Sequence, residues 1–103
     1  MTGFFLGLLP TPGGEKYHLF NFLGDEIEIS NDMGPKQAKD VHPIDGGVGF
    51  TMETGPVDHV FELDCETLVL DAKVQKADTG EVMASFRITL TPTDRPILPE
   101  NPL

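Results

Sequence analysis

The chain has 103 residues and a formal net charge of -10, from 17 acidic and seven basic side chains with the three histidines counted as neutral. Leucine, isoleucine, valine and phenylalanine together number 30, which is enough to build one domain around a core and excludes a disordered chain. A single cysteine excludes an internal disulfide and a zinc site built on cysteines. The negative charge argues against binding to nucleic acid or to an anionic membrane, because both would repel it.

The distribution of residue types indicates β-structure. Valine, isoleucine and threonine occur 21 times and alanine only four times, while 11 glycines and nine prolines divide the chain into short pieces. Apolar and polar residues alternate within these pieces, and none shows helical spacing. The sequence therefore predicts a single all-β domain over residues 1–92, a small antiparallel β-sandwich or a partly open β-barrel of six to eight strands. An extended, proline-rich tail follows over residues 93–103.

The first predicted strand, Gly3 to Leu9, is the most apolar segment of the chain. It is too short for a membrane helix, which needs about 20 apolar residues. It has neither a basic region before it nor a small-residue cleavage site after it, so we expect a cytoplasmic protein that does not contact the membrane. Because the Phe4–Leu9 strand is apolar on both faces, it is expected to be central in a sheet or buried against a second copy of the chain. The simplest such assembly is a symmetric homo-oligomer, a dimer.

A hairpin is predicted next along the chain, with its turn at residues 24–25. This turn places Phe22 opposite Ile27 and Phe20 opposite Ile29, two pairs of an aromatic with a β-branched residue on one face. The following segment, residues 31–47, is predicted to be a loop that includes a short helical turn between Pro35 and Asp40. Alternation then resumes over residues 48–52 and 59–65.

The long hairpin near the C-terminus has the clearest register. A three-residue loop ending at Gly80 pairs Leu70 with Ile88 and places Asp71 directly opposite Arg87 on the other face, a favourable pair of opposite charges. A shift of one residue would set the apolar row against the polar row. The predicted core of the domain consists of the inward-facing residues of these strands: Phe20, Phe22, Ile27, Ile29, Phe50, Phe61, Leu63, Leu70, Ala72, Val74, Ala84, Phe86 and Ile88.

His18 is the first candidate functional residue, because the predicted register places it on the same inward face as Phe20 and Phe22. One interpretation is a core histidine that hydrogen-bonds a backbone group. The other is a base or ligand contact in an apolar pocket, helped by Tyr17 beside it and by Asp45 from a rim loop.

Cysteine and metal chemistry are not predicted. His59 and Cys65 lie on one strand and would be about 20 Å apart, so Cys65 is expected to be a buried, inert thiol. His59 and Glu62 point to opposite faces and cannot chelate a metal ion together. The acidic run from Asp25 to Asp32 lacks the pattern of a calcium loop, and the glycine-rich segments do not match a phosphate-binding loop. We expect no metal and no cofactor.

The acidity remains to be explained. Asp58, Glu62 and Asp64 share one face of a predicted strand, and Glu26 and Glu28 line the first hairpin. If these faces are adjacent, the carboxylates form a negative patch that attracts a basic protein partner. The same charge also serves solubility without any partner.

Three hypotheses follow for the function. The leading one is an acidic, non-enzymatic protein-interaction module, such as an inhibitor, an immunity-type protein or an assembly protein, that binds a basic protein partner. The alternatives are a small-molecule-binding or isomerase-like β-barrel that uses His18 in an apolar pocket, and a structural subunit of an oligomer.

Overall fold

A computed structural model describes residues 2–11 and 13–100, and these form two packed antiparallel sheets of five strands. The first sheet has the order β10-β1-β2-β3-β4 and the second β5-β6-β7-β8-β9, so the all-β prediction is confirmed as a sandwich. No helix capable of spanning a membrane occurs in the described part of the chain. The strands are β1 (Thr2–Thr11), β2 (Gly14–Leu23), β3 (Ile27–Asn31), β4 (Gly34–Gln37), β5 (Lys39–Ile44), β6 (Gly47–Glu53), β7 (Val57–Asp64), β8 (Val69–Lys76), β9 (Val82–Thr89) and β10 (Thr91–Thr93).

Two stretches of chain pass from one sheet to the other. The first changes sheet at Ala38, between β4 and β5, and the second at Leu90, between β9 and β10. Both residues are buried, and their backbone amides donate to the carbonyl oxygens of Ile27 and Leu68, each at 2.8 Å. The structure has more strands than the six to eight predicted, because each of these stretches forms one strand in the first sheet and another in the second.

The loop predicted over residues 31–47 is wrong, and so is the helical turn between Pro35 and Asp40. This segment forms β4 and β5. Proline cannot donate a hydrogen bond, but Pro35 lies in β4, the edge strand of its sheet, where no further strand needs its amide. Asp40 has a φ of 53°, a left-handed conformation that bends the chain just after it enters the second sheet.

Both predicted hairpin registers are confirmed. Phe22 pairs with Ile27 in the first, and Leu70 pairs with Ile88 in the second. Nε of Arg87 donates to Oδ1 of Asp71 at 2.6 Å, as the opposite charges indicated. The second register shifts after Val74, which lies opposite Ala84: Gln75 lies opposite Val82, so Met83 is an extra residue within β9.

The core is a cluster of phenylalanine rings that joins the two sheets. Phe20 packs edge-to-face on Phe50 and Phe61, with ring centroids 6.3 and 5.9 Å apart, and Phe22 contacts Phe5 and Phe50 in the same way. Edge-to-face contacts add to the free energy that the rings gain by leaving water. The interior is therefore filled by side chains.

Most of the predicted core is buried, but the C-terminal hairpin of β8 and β9 departs from the prediction. Ala84 is exposed, and Val74, Phe86 and Ile88 are only half-buried. The reason is that β9 is the edge strand of its sheet, and its second half is the part that reaches β1. Contact there is close, because a Cβ atom added at Gly7 would lie 2.9 Å from the Ile88 side chain.

The end of the chain is more regular than predicted. Thr91–Thr93 forms β10, in which Pro92 pairs with Phe5 of β1, so the paired region reaches into the segment predicted as a tail. Residues 94–100 form no strand. The remaining tail residues, 101–103, lie outside the described residues, as do residues 1 and 12 of the predicted domain.

Two substitutions on the C-terminal hairpin are expected to differ greatly in their effect on the free energy of unfolding, because one changes a buried residue and the other an exposed one. Leu70→Ala should lower the free energy of unfolding by about 2–5 kcal/mol, because Leu70 is fully buried and the change leaves a cavity. Ala84→Ser should change it by less than about 0.5 kcal/mol, because Ala84 is exposed. Urea unfolding of the two variants measures both values, and equal losses would contradict the packing described.

The first strand is central, between β10 and β2, which is one of the two arrangements expected for it. Phe5 and Leu9 face the core, while Phe4, Leu6 and Leu8 are half-buried on the outer face.

Self-association through this outer face stays a prediction. Light scattering at micromolar concentration should then give twice the chain mass of 11.2 kDa, and Leu6→Lys should return the monomer mass because a charge there opposes burial. A monomer mass for the unchanged protein would exclude the dimer.

Candidate functional site

The turns between strands gather at two ends of the sandwich, and each end has its own chemistry. One end contains the turns at residues 24–26, 45–46 and 65–68, and we call it the acidic end. The amide of Cys65 donates to the carbonyl oxygen of Gly46 at 3.1 Å, which holds two of these turns together. The other end, the histidine end, contains the turns at residues 32–33, 54–56 and 77–81.

Five exposed carboxylates lie in the turns of the acidic end, and none of them belongs to the four ion pairs formed among the described residues. Oδ1 of Asp64 accepts hydrogen bonds from the backbone amides of Glu66 and Thr67, at 2.9 and 3.1 Å. These two bonds lower the pKa of the Asp64 carboxyl, so its negative charge is held in place. The five residues are Asp25, Glu26, Asp45, Asp64 and Glu66.

An apolar pocket of about 280 Å³ opens between these turns. Asp25 and Cys65 contribute to its lining beside the apolar side chains. Cys65 is exposed rather than buried, because it lies in the turn after β7 and not within a strand. The apolar lining residues come from both sheets: Phe22, Ile27, Val41, Pro43 and Val48.

The five carboxylates that the sequence suggested as a partner-binding patch do not all meet. Glu26 and Asp64 lie at the acidic end. Glu28 is on β3 of the first sheet and Glu62 is on β7 of the second, so they occupy opposite outer faces. Asp58 is near the start of β7, toward the histidine end.

Three further carboxylates of the acidic end were not predicted to belong to this patch: Asp25, Asp45 and Glu66. They are far apart along the chain, and only the pairing order of the strands brings their turns together.

His18 is inward-facing and 2% exposed, at the histidine end of β2. Its Nδ1 lies 3.1 Å from the carbonyl oxygen of Lys16, and its Nε2 lies 3.2 Å from the amide nitrogen of the Asn31 side chain. A carbonyl oxygen can only accept and an amide nitrogen can only donate, so Nδ1 carries the proton and Nε2 accepts. Burial lowers the pKa of His18, and both ring nitrogens of the neutral form are satisfied.

His59 approaches the same region from the second sheet. Its ring stacks on Phe61, with centroids 6.1 Å apart and planes inclined by 26°. Its Nδ1 is buried and has no hydrogen-bond partner among residues 2–11 and 13–100. Burial lowers the pKa of His59, and repulsion from His18 lowers it further. The sequence analysis did not join these two histidines, because their proximity results from the packing of one sheet on the other.

The two histidines line a pocket of about 350 Å³ at the histidine end. The carboxylate in this lining is Asp32, and Nζ of Lys16 binds it at 3.1 Å. The rest of the lining is mostly apolar: Leu9, Met33, Met52, Pro56 and Val57.

The catalytic arrangement of His18, Tyr17 and Asp45 is not brought together. Tyr17 lies opposite Leu8 and faces outward, because alternate residues of β2 point to opposite sides and His18 points inward. Asp45 is at the acidic end, the far end of the sandwich from His18. A proton-transfer site built from these three residues has no support in the structure.

The outer face of the second sheet carries a larger, open groove of about 550 Å³. Charges of both signs line it, including Glu62, Lys73 and the ion pair between Asp71 and Arg87. Among the described residues, no group of three histidine, cysteine, aspartate or glutamate side chains is placed to hold a metal ion.

Comparison of the chain with known protein families, with curated proteins and with solved structures finds no match.

The histidine end predicts that stability falls at mildly acidic pH. Both histidines have a lowered pKa in the folded protein, so below about pH 6.5 the unfolded chain binds more protons than the folded one. Their contribution is complete above about pH 6.5 and is lost as the pH falls from there toward the lowered pKa values. The hydrogen bond to the Lys16 carbonyl oxygen and the charge of Asp32 oppose the shift of His18, and Asp58 opposes that of His59. The charge of Lys16 adds to the shift of His18, and the net direction is downward for both rings.

Urea unfolding as a function of pH tests this expectation. The double variant His18→Gln/His59→Phe should lose less stability than the unchanged protein between about pH 6.5 and pH 5.5, a range in which ordinary carboxyl groups are almost fully ionised. The single variant His59→Phe should fall between the two. An equally steep loss in all three proteins would show that the two histidines do not cause it.

Proposed function

We propose that this protein is a non-enzymatic interaction module whose acidic end binds a basic segment of a partner protein. The observation that supports this proposal is the combination of an apolar pocket with carboxylates around it. Ionised carboxylates and apolar side chains recognise a complementary surface, one that carries lysine or arginine residues beside an apolar side chain.

The charge of the acidic end is poorly balanced by the rest of the chain. Four of the seven basic side chains, Lys16, Lys39, Lys76 and Arg87, are paired with acidic groups outside the five carboxylates of this end. The field at the acidic end is therefore negative, and it raises the rate at which a basic surface approaches in the correct orientation.

Charge alone does not fix the orientation of a partner. The apolar pocket would do so, because it holds one side chain of the partner in a defined position. Phe22 and Ile27 are almost fully buried in the core and form a rigid floor for the pocket. A volume of about 280 Å³ accepts one large apolar side chain. Interfaces gain most of their affinity from a few such desolvated anchors, while charges at the rim contribute association rate and selectivity.

A synthetic peptide with one leucine between pairs of lysine and arginine residues is a suitable probe. We expect it to bind saturably and to shift the backbone NMR signals of residues 24–26, 45–48 and 65. The triple variant Asp25→Asn/Glu26→Gln/Glu66→Gln should weaken binding about 10-fold at 50 mM salt, because each exposed ion pair contributes up to about 1 kcal/mol.

The matched control removes the same charge elsewhere. Glu15, Asp58 and Asp78 lie toward the histidine end, and Glu15→Gln/Asp58→Asn/Asp78→Asn should change the affinity by less than about 2-fold, since these residues lie away from the pocket. Replacing the leucine of the peptide with serine should weaken binding to the unchanged protein. Equal losses in both triple variants, or no effect of the serine, would show that only net charge attracts the peptide and would refute the proposed site.

A further inference from the structure

One polar side chain in the lining of the pocket at the histidine end forms no hydrogen bond with the described residues. His18 and His59 both line it, but they differ in their hydrogen bonds. Lys16 and Asn31 satisfy the two ring nitrogens of His18, whereas the ring of His59 forms no hydrogen bond with the described residues. Its Nδ1 is buried, so Nε2 is the nitrogen that a molecule in the pocket can reach.

The lining of the pocket defines the ligand that would fit. Leu9, Met52 and Val57 provide apolar walls, and a volume of about 350 Å³ is at the lower end of the range for small-molecule sites. Methionine side chains adapt their shape to a bound molecule, and two of them, Met33 and Met52, line this pocket.

The charge of the ligand follows from its surroundings. The net charge of -10 opposes an anion, and moving any ion out of water into an apolar pocket is costly. Lys16 and Asp32 already neutralise each other in the lining at 3.1 Å, so neither is available to compensate a charge on the ligand.

The group that His59 would bind follows from the chemistry of imidazole. A neutral imidazole has one nitrogen that donates and one that accepts, and a hydroxyl group can do either. A hydroxyl therefore suits His59 with the proton on either nitrogen. The hydroxyl meets the ring at Nε2, because Nδ1 is buried and out of its reach.

We propose that the pocket at the histidine end binds a small, neutral, mostly apolar molecule whose single hydroxyl group forms a hydrogen bond with the imidazole of His59. His18 has a positioning role, because its fixed hydrogen bonds to Lys16 and Asn31 hold the wall of the pocket opposite His59. This site is at the opposite end from the acidic pocket, so the two proposals are independent.

A matched pair of probes tests the hydroxyl directly. 4-Ethylphenol and 4-ethylanisole differ by the replacement of the hydroxyl with a methoxy group. We expect 4-ethylphenol to bind saturably and to shift the methyl NMR signals of Met33 and Met52, which line the pocket. It should bind the unchanged protein about 3- to 10-fold more tightly than 4-ethylanisole, the effect of one neutral hydrogen bond.

The variant His59→Phe keeps an aromatic ring against Phe61 and removes the hydrogen bond. It should bind 4-ethylphenol about 3- to 10-fold more weakly than the unchanged protein and should leave the affinity for 4-ethylanisole unchanged. His42→Phe is the matched control, since His42 is exposed and outside this pocket, and it should change neither affinity.

Three results would overturn the proposal: no saturable binding of 4-ethylphenol, equal affinity of the unchanged protein for both probes, or an equal loss for both probes in His59→Phe. The comparison of the two probes on the unchanged protein needs no variant, so it stands even if His59→Phe fails to fold.

Discussion

The contact of Phe20 with Phe50 and Phe61 is the interaction on which the rest of the structure depends. Phe20 belongs to the first sheet and the other two rings to the second, so these edge-to-face contacts fix the distance between the sheets. Because the rings fill the space between the sheets, the pockets described above lie at the two ends and on an outer face of the sandwich. The filled core thus determines where function can be located.

The two ends are chemically opposite, and this difference follows from which residues the turns supply. Carboxylates in turns remain in water and keep their charge, which makes the acidic end suited to attracting a partner. His18 in β2 and His59 in β7 face inward, lose water and favour their neutral form. One short chain therefore carries a charged surface and a neutral pocket without either disturbing the other.

Local structure could be predicted from the sequence, but much of the site could not. The turn at residues 24–25 and the opposite charges of Asp71 and Arg87 led to the correct registers of the two hairpins. The two strands of a hairpin are close together in the sequence, so their side-chain patterns can be aligned directly. The passage between sheets at Ala38 was missed, since an extended crossing strand has no local pattern that differs from a loop. His59 and the carboxylate of Asp45 were not placed in their sites, because each joins its site through contacts between turns or sheets that are distant along the chain.

The pairing of β1 with β10 allows the order of the strands along the chain to be rearranged. Phe4 lies opposite Thr93, so the first and last strands run side by side. A short linker between them, with new termini opened in the exposed turn at residues 77–81, would give a circular permutant that retains every strand pair. In such a permutant β9 would be the first strand and β8 the last, so the two strands of the C-terminal hairpin would have to pair across the whole length of the chain. Formation of this hairpin would then become a late, long-range step in folding, whereas in the natural order it is an early, local one.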